Sequence, residues 1–294
     1  MRLLACTVAI VILAGAACGG GASRPGGRLG IGSQALAGMV LINTDGSRAG
    51  PSTDGIMPAW SPAGVLAYVS KTSDGNLDIF TVGADGSSKR LTSDPANDAQ
   101  PAWSPDGQWI AFASDPGSNQ DVYKMRPDGG QAVRLTDDPS ADMVPNWSPD
   151  GTKIAFVSHR DGNYEVYVMN SDGSGQTRLT TDPERDDYPS WSPDGSKIAF
   201  NSYRSGQAEI WLMNADASDQ HQVTVANDPS FHPVWSPDGQ WIAFSRSVSG
   251  PSAGTSDEDV FAIKPDGSDE LRITSTPGFD NVYSWLPSAP TSTP

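Results

Sequence analysis

Cysteine is almost absent. The chain of 294 residues holds two, Cys6 and Cys18. Cys6 falls in an apolar leader, so Cys18 is the single cysteine of the expected mature chain. That excludes an intramolecular disulfide and a cysteine-built zinc site. Histidine is scarce too. His159, His221 and His232 show no spacing that would put two of them on one face for a metal. Basic residues are few: 19 Lys and Arg stand against 35 Asp and Glu, a net charge of −16. This balance argues against nucleic acid as a partner and against direct binding to anionic headgroups. Many of the acids sit in Asp-Gly pairs, where they serve turn geometry and solubility. The longest apolar run, Leu3 to Ala17, is too short for a permanent membrane span. Gly-x-Ser-x-Gly, P-loop and EF-hand patterns are missing. Helical repeats are excluded as well, because 31 Gly and 24 Pro break the i, i+3, i+4 spacing they need.

What is present is a repeat. Trp-Ser-Pro-Asp-Gly recurs at Trp103, Trp147, Trp191 and Trp235, each 44 residues after the last. A looser copy begins at Trp60, and a degenerate one, Trp285-Leu286-Pro287, follows the last. A strand-patterned repeat of about 40–50 residues predicts a β-propeller with one four-stranded blade per repeat. In the blade of Trp147, Pro149 and Asp150-Gly151 make a turn. Lys153–Ser158 reads as the second strand, Glu165–Met169 as the third and Thr177–Thr180 as a short outer strand. Arg178 suits an exposed outer edge that must not pair with a neighbour.

Five blades start at Trp60, Trp103, Trp147, Trp191 and Trp235, and a sixth is shared between the ends. Arg28–Ser33 aligns with Lys153–Ser158, and Gly38–Asn43 with the next strand. The inner strand of that blade comes from Asp280–Trp285. The expectation is one all-β domain: a six-bladed propeller over residues 24–286, its ring closed by N- and C-terminal strands sharing a blade. A signal peptide is expected over 1–17, a lipidated linker over 18–23 and a disordered Pro/Ser/Thr-rich tail over 287–294. The stretch Leu13-Ala14-Gly15-Ala16-Ala17-Cys18 resembles a bacterial lipobox, with Gly15 where Leu is usual. Cys18 is therefore the expected lipidation site. The expected location is the bacterial envelope, membrane-anchored at the periplasm or outer surface.

The repeat Trp-Ser-Pro-Asp-Gly, Ile-Ala-Phe, Tyr-Val-Met-Asn-x-Asp-Gly, Arg-Leu-Thr resembles the TolB propeller family over roughly residues 24–286. The resemblance implies a periplasmic protein that acts through protein–protein contacts. The TolB proteins of the Tol system carry an N-terminal α/β domain, for which there is no room between Cys18 and Arg24, and they are soluble. The expectation is a TolB-like propeller lipoprotein, outside the Tol–Pal complex itself.

Loops joining fourth to first strands, and second to third, gather at one channel mouth and vary most between blades, so binding is expected there. The loop Ser247–Glu258 is the longest of these. Five residues before each motif tryptophan lie Gly55, Asp98, Asp142, Asp186, Ser230 and Asp280. Asp98, Asp142, Asp186 and Asp280 are candidate ligands for calcium or another hard cation, or else residues that satisfy their own turns. His159, Arg160, Arg185, Arg204 and His232 are the residues a glycan- or peptide-processing lyase or hydrolase could use at the mouth. His232 shares a variable position with Gln100, Val144 and Tyr188, which favours a surface residue. No catalytic set is expected. The leading expectation is a monomeric, non-enzymatic module that binds an envelope protein or cell-wall component, with a cationic partner patch favoured by an acidic mouth. A purely structural envelope role is the third possibility.

Overall fold

The structure, a computed structural model, describes residues 25–286 apart from 34–37, 54, 84–85, 118, 250–255 and 276. The expected signal peptide, Cys18 and the tail lie outside the described residues. Within them the chain forms strands without helices, sorted into six four-stranded antiparallel sheets. The blade of Trp147 (blade 3, counting from Trp60) runs Asp142–Trp147, Lys153–Ser158, Glu165–Asn170 and Thr177–Arg178 from channel to rim. Its Ser-Pro-Asp-Gly turn is closed by side chains. Ser148 Oγ donates to Asp150 at 2.6 Å and accepts from the Lys153 amide at 2.9 Å, while Gly151 takes φ 70°.

The shared blade forms as the alignment predicts. Asp280–Leu286 is its inner strand, followed by Arg28–Ser33, Gly38–Asn43 and Arg48–Thr53. Leu29 opposes Trp285 and Ser33 opposes Asp280.

The core lies between blades. Trp147 packs on Ala111, Val122 and Leu135 of blade 2 as well as on Ile154 and Phe156 of its own. Trp235 donates its indole N–H to the Ser190 carbonyl of the preceding blade at 3.1 Å, and Trp103 reaches Ala59 in the same way at 3.2 Å. The motif tryptophan is thus the wedge that couples successive blades.

Arg178 differs from its expected role. It is half-buried and paired with the buried Glu165 at 2.7 Å, and Thr180 also bonds that carboxylate. The same tie recurs as Asp78–Arg90, Asp121–Arg134 and Asp259–Arg272. An acid near the start of the third strand in five blades, Asp78, Asp121, Glu165, Glu209 or Asp259, holds the Thr that follows the outer strand, and in all but the Glu209 blade it holds an Arg as well.

The expected loop Ser247–Glu258 is also corrected. Its ends continue the antiparallel ladder as far as Ser249 opposite Ser256, since backbone pairing does not depend on side-chain polarity. Its tip lies outside the described residues.

Candidate functional site

Five inner strands carry a bulge three residues before their tryptophan, and in the sixth blade the extra residue is Tyr283, two before Trp285. In blade 3, Met143 pairs with Val157 and Asn146 with Ala155, so Val144 and Pro145 together oppose Phe156. The first bulge residue is left-handed although none is glycine: Met57, Gln100, Val144, Tyr188 and His232 have φ between 51° and 59°. Each precedes a proline that the channel-side strand edge tolerates. Conformations of this kind cost about 1–3 kcal/mol each for a bulky side chain. The sixth blade has Val282-Tyr283 in this place, without the proline.

These bulges line a cavity of about 440 Å³ in the central channel. Its wall runs from the bulge residues, past a ring of prolines and the six motif tryptophans, to Pro193 and Pro237 of the Ser-Pro-Asp-Gly turns. Among the described residues, no Lys, Arg, Asp or Glu lines it. One side is aromatic. The rings of Tyr188 and His232 meet edge to face at 4.2 Å, and those of His232 and Tyr283 stack at 6.0 Å. Burial pushes the His232 imidazole down to about 4 and the Tyr283 phenol up to about 12, and it raises Tyr188 as well. The cavity is therefore neutral at physiological pH, in a strongly acidic chain.

His232 is consequently not a surface residue. Strand alternation fails as a guide at this point because the bulge inserts one extra residue and turns the side chain into the channel wall.

The four candidate ligand aspartates stand at equivalent positions in four blades, but they do not form a group. Among the described residues, no three His, Cys, Asp or Glu side chains come together to hold a metal ion. Asp142 accepts from Arg160 Nη2 at 2.9 Å and Asp186 from Arg204 Nη2 at 2.6 Å. Each tie fastens the start of an inner strand to the loop between second and third strands of the same blade. In blade 5, Ser230 replaces the aspartate, and Arg246 bonds it while forking onto Glu270. Asp98 has no arginine opposite it. It is fully buried beside Ser114 and Thr92, and burial pushes its carboxyl up to about 6. Burial raises Asp186 to about 6 as well. Asp280 is buried in the blade that closes the ring. Asp142 and Asp186 are therefore internal ties within their own blades.

Of the residues considered for catalysis, His159 and Arg185 come together on the ring of Tyr164. Arg160 and Arg204 are held by their aspartates. Arg185 pairs with the buried Asp187 and lies over the rings of Tyr164 and Tyr203 at 4.8 and 5.7 Å. His159 meets Tyr164 edge to face at 4.8 Å. The sequence reasoning missed this aromatic–arginine patch at the mouth of blades 3 and 4. Ile56, Val225 and Phe279 are exposed, each at the start of an inner strand or in the loop leading to one. The acid–arginine ties were also missed, although their fixed spacings, 18 residues in Asp142–Arg160 and Asp186–Arg204, were present to be found.

Residues 47–143 and 137–291 match the model of the TolB beta propeller domain. The fold is similar to putative TolB from Agrobacterium tumefaciens, with a TM-score of 0.68 and 23% identity over 90% of this chain and 100% of that one. It is similar to TolB from Acinetobacter baumannii, with a TM-score of 0.76 and 23% identity over 90% of this chain and 68% of that one. An oligogalacturonate lyase from Vibrio parahaemolyticus shares the fold at a TM-score of 0.56 and 16% identity, over 79% of this chain and 68% of that one.

Proposed function

The chain belongs to the TolB beta propeller family, and from that premise we propose that it is a non-enzymatic recognition module of the bacterial envelope, anchored by lipid at Cys18, that binds a macromolecular partner at its variable mouth. The observation that carries this reading is the chemistry of the two faces. The mouth of blades 3 and 4 offers Arg185 over Tyr164 and Tyr203, and exposed Ile56, Val225 and Phe279 lie at the starts of other inner strands or in loops leading to them. Arginine, tyrosine and exposed apolar side chains are what binding hot spots are made of. The opposite face repeats Ser-Pro-Asp-Gly turns, whose Ser and Asp side chains are spent on each other within the turn. The rigid ring keeps the ordering cost of binding low.

Absence of chemistry is supported by the fate of the polar residues. The arginines and acids at the mouth are engaged with one another, and among the described residues no histidine ring nitrogen meets a serine, threonine or cysteine hydroxyl or thiol. The expected partner is an envelope protein or cell-wall component.

The test is capture from solubilised membranes with the wild-type propeller and a Tyr164→Ser/Tyr203→Ser/Val225→Ser variant. The variant loses the captured partner. An unchanged captured set removes the mouth as the binding face, and turnover of glycan or peptide substrates by the purified protein overturns the non-enzymatic reading. Fractionation tests the anchor separately: the full chain partitions with membranes and its Cys18→Ser form does not.

A further inference from the structure

In blades 3 and 4 the mouth holds an arginine in a socket built by its own blade. Arg160 donates from Nε to Ser158 at 2.8 Å and from Nη2 to Asp142 at 2.9 Å, has Asp138 at 4.0 Å, and lies over the ring of Tyr167 at 4.8 Å. Arg204 repeats this with Ser202 at 2.7 Å, Asp186 at 2.6 Å, Asp182 at 3.9 Å and the ring of Trp211 at 4.5 Å. Two other blades lack carboxylate and arginine together. Blade 1 has Gly55 and Thr72 at these positions, and blade 5 has Ser230 and Val248. The shared blade keeps Asp280 but has Thr276 in place of the second acid.

Blade 2 keeps the socket and lacks the arginine. Asp98 opposes Ser114 as Asp142 opposes Ser158. The rings of Phe112 and Tyr123 stand 5.7 Å apart at 31°, against 5.6 Å and 38° for Phe156 and Tyr167. Asp94 is exposed, and its Oδ1 accepts from the Ala96 amide at 2.9 Å as Asp138 accepts from Ser140. Pro116 takes the arginine position, and the smaller Ala132 stands where Gln176 bonds Arg160 in blade 3. Ser114 and Thr92 lie beside the fully buried Asp98, but neither of its oxygens has a partner with hydrogen-bond geometry. Among the described residues no cation pairs with Asp98 or with Asp94. A buried carboxylate of this kind is costly to fold around, and a cation completes it.

The socket selects its cation by shape. A hard metal ion needs more oxygen ligands than two, and no three acids come together among the described residues. The half-buried ring of Tyr123 offers a flat face, which a planar guanidinium covers better than a compact, strongly hydrated ammonium. Pro116 and Gly117 are exposed, so the approach is from the mouth, with Asp94 at the rim and Asp98 at the floor. We propose that the mouth of blade 2 is a socket for an arginine side chain of a protein partner, whose guanidinium takes the place that Arg160 and Arg204 fill in their own blades. The source of that arginine rests on the mouth being the binding face; the socket itself does not.

Two measurements test the socket and the source separately. In the first, N-acetyl-arginine amide is titrated into the full chain in neutral detergent, followed by NMR, with N-acetyl-lysine amide and the uncharged N-acetyl-citrulline amide as controls. The arginine probe binds with a Kd of about 1–10 mM, the lysine probe at least about threefold more weakly, and the citrulline probe does not saturate by about 50 mM. Asp98→Asn removes the charge at the floor, and Pro116→Arg supplies the guanidinium from within the blade. Each weakens the arginine probe at least about tenfold, and Asp94→Asn, which can keep its bond to the Ala96 amide, weakens it several-fold. Thermal melts establish that the variants are folded. The socket is overturned if the arginine probe does not saturate by about 50 mM, if either control binds as tightly, or if folded Asp98→Asn and Pro116→Arg bind as the wild type does. In the second measurement, the partner that the wild type captures from solubilised membranes is lost with Asp98→Asn and with Pro116→Arg. A partner held equally by both variants overturns the partner as the source of the arginine. A wild type that captures nothing overturns the mouth as the binding face and the partner's arginine with it, while the titration decides the socket by itself.

Discussion

Trp147 shows how one side chain carries the repeat. It is buried between blades 2 and 3, against Val122 and Leu135 on one side and Phe156 on the other. Trp147→Ala leaves a cavity at that seam and is expected to cost about 3–5 kcal/mol, read from denaturant unfolding. A loss under about 1 kcal/mol would mean that the seam does not depend on it. Asp98 poses the opposite case, a buried carboxyl with no cation opposite. Its folded pKa of about 6 lies above the ordinary 3.8. Above pH 6 the carboxyl is ionised in both states and the folded state bears the full desolvation cost. Below about pH 4 it is protonated in both states and the cost disappears. Asp98→Asn is therefore expected to stabilise the protein at pH 8, on the order of 2 kcal/mol, with the gain fading through pH 6 and gone near pH 4. Melting temperatures of both proteins across that range check the sign. His232 contributes oppositely: its depressed pKa of about 4 means that folded-state stability falls as pH drops from 6.5 toward 4.

At the scale of the blade, stability comes from ties that run across strands. Arg160 fastens Asp142 and also lies over Tyr167 at 4.8 Å, and Arg204 does the same with Asp186 and Trp211. Removing one partner of such a pair leaves a buried charge alone. Arg160→Gln is expected to cost about 3–5 kcal/mol, and the double change with Asp142→Asn less than that. A double-mutant cycle reads this difference directly, and additive losses would show that the pair is not coupled. The bulges belong to this scale as well. They hold five bulky residues at positive φ so that the side chain before each proline reaches the channel.

At the scale of the whole molecule, the ring is closed by Asp280–Leu286, which packs Val282 and Trp285 against Leu29, Ile31 and Val260. Deleting residues 280–294 exposes the Arg28–Ser33 edge and opens this core. The expected result is loss of cooperative thermal unfolding together with aggregation in size-exclusion chromatography, and a synthetic peptide of residues 278–294 added in trans restores the wild-type elution and cooperative unfolding. Unchanged unfolding would rule out this closure.

By itself, the sequence determined the architecture. A tryptophan stride of 44 residues and the alignment of Arg28–Ser33 with Lys153–Ser158 were enough to count six blades and to place the closing strand, because hydrophobic alternation and turn chemistry are local properties written in every repeat. The outer-strand arginines and the mouth aspartates were visible as repeated residues, yet their roles were not. Whether Asp142 faces a metal, a solvent-filled mouth or Arg160 depends on a loop 18 residues away folding back over it. The variation of the His232 position among Gln100, Val144 and Tyr188 suggests a surface residue, but a bulge turns it into the channel wall, and nothing in a two-residue period reports that bulge. The channel itself was decided by tertiary structure alone. Its neutral, lopsided wall is assembled from six inner strands more than 200 residues apart in sequence at the extremes, and only the closing of the ring brings Tyr188, His232 and Tyr283 to one side and Met57 and Val144 to the other.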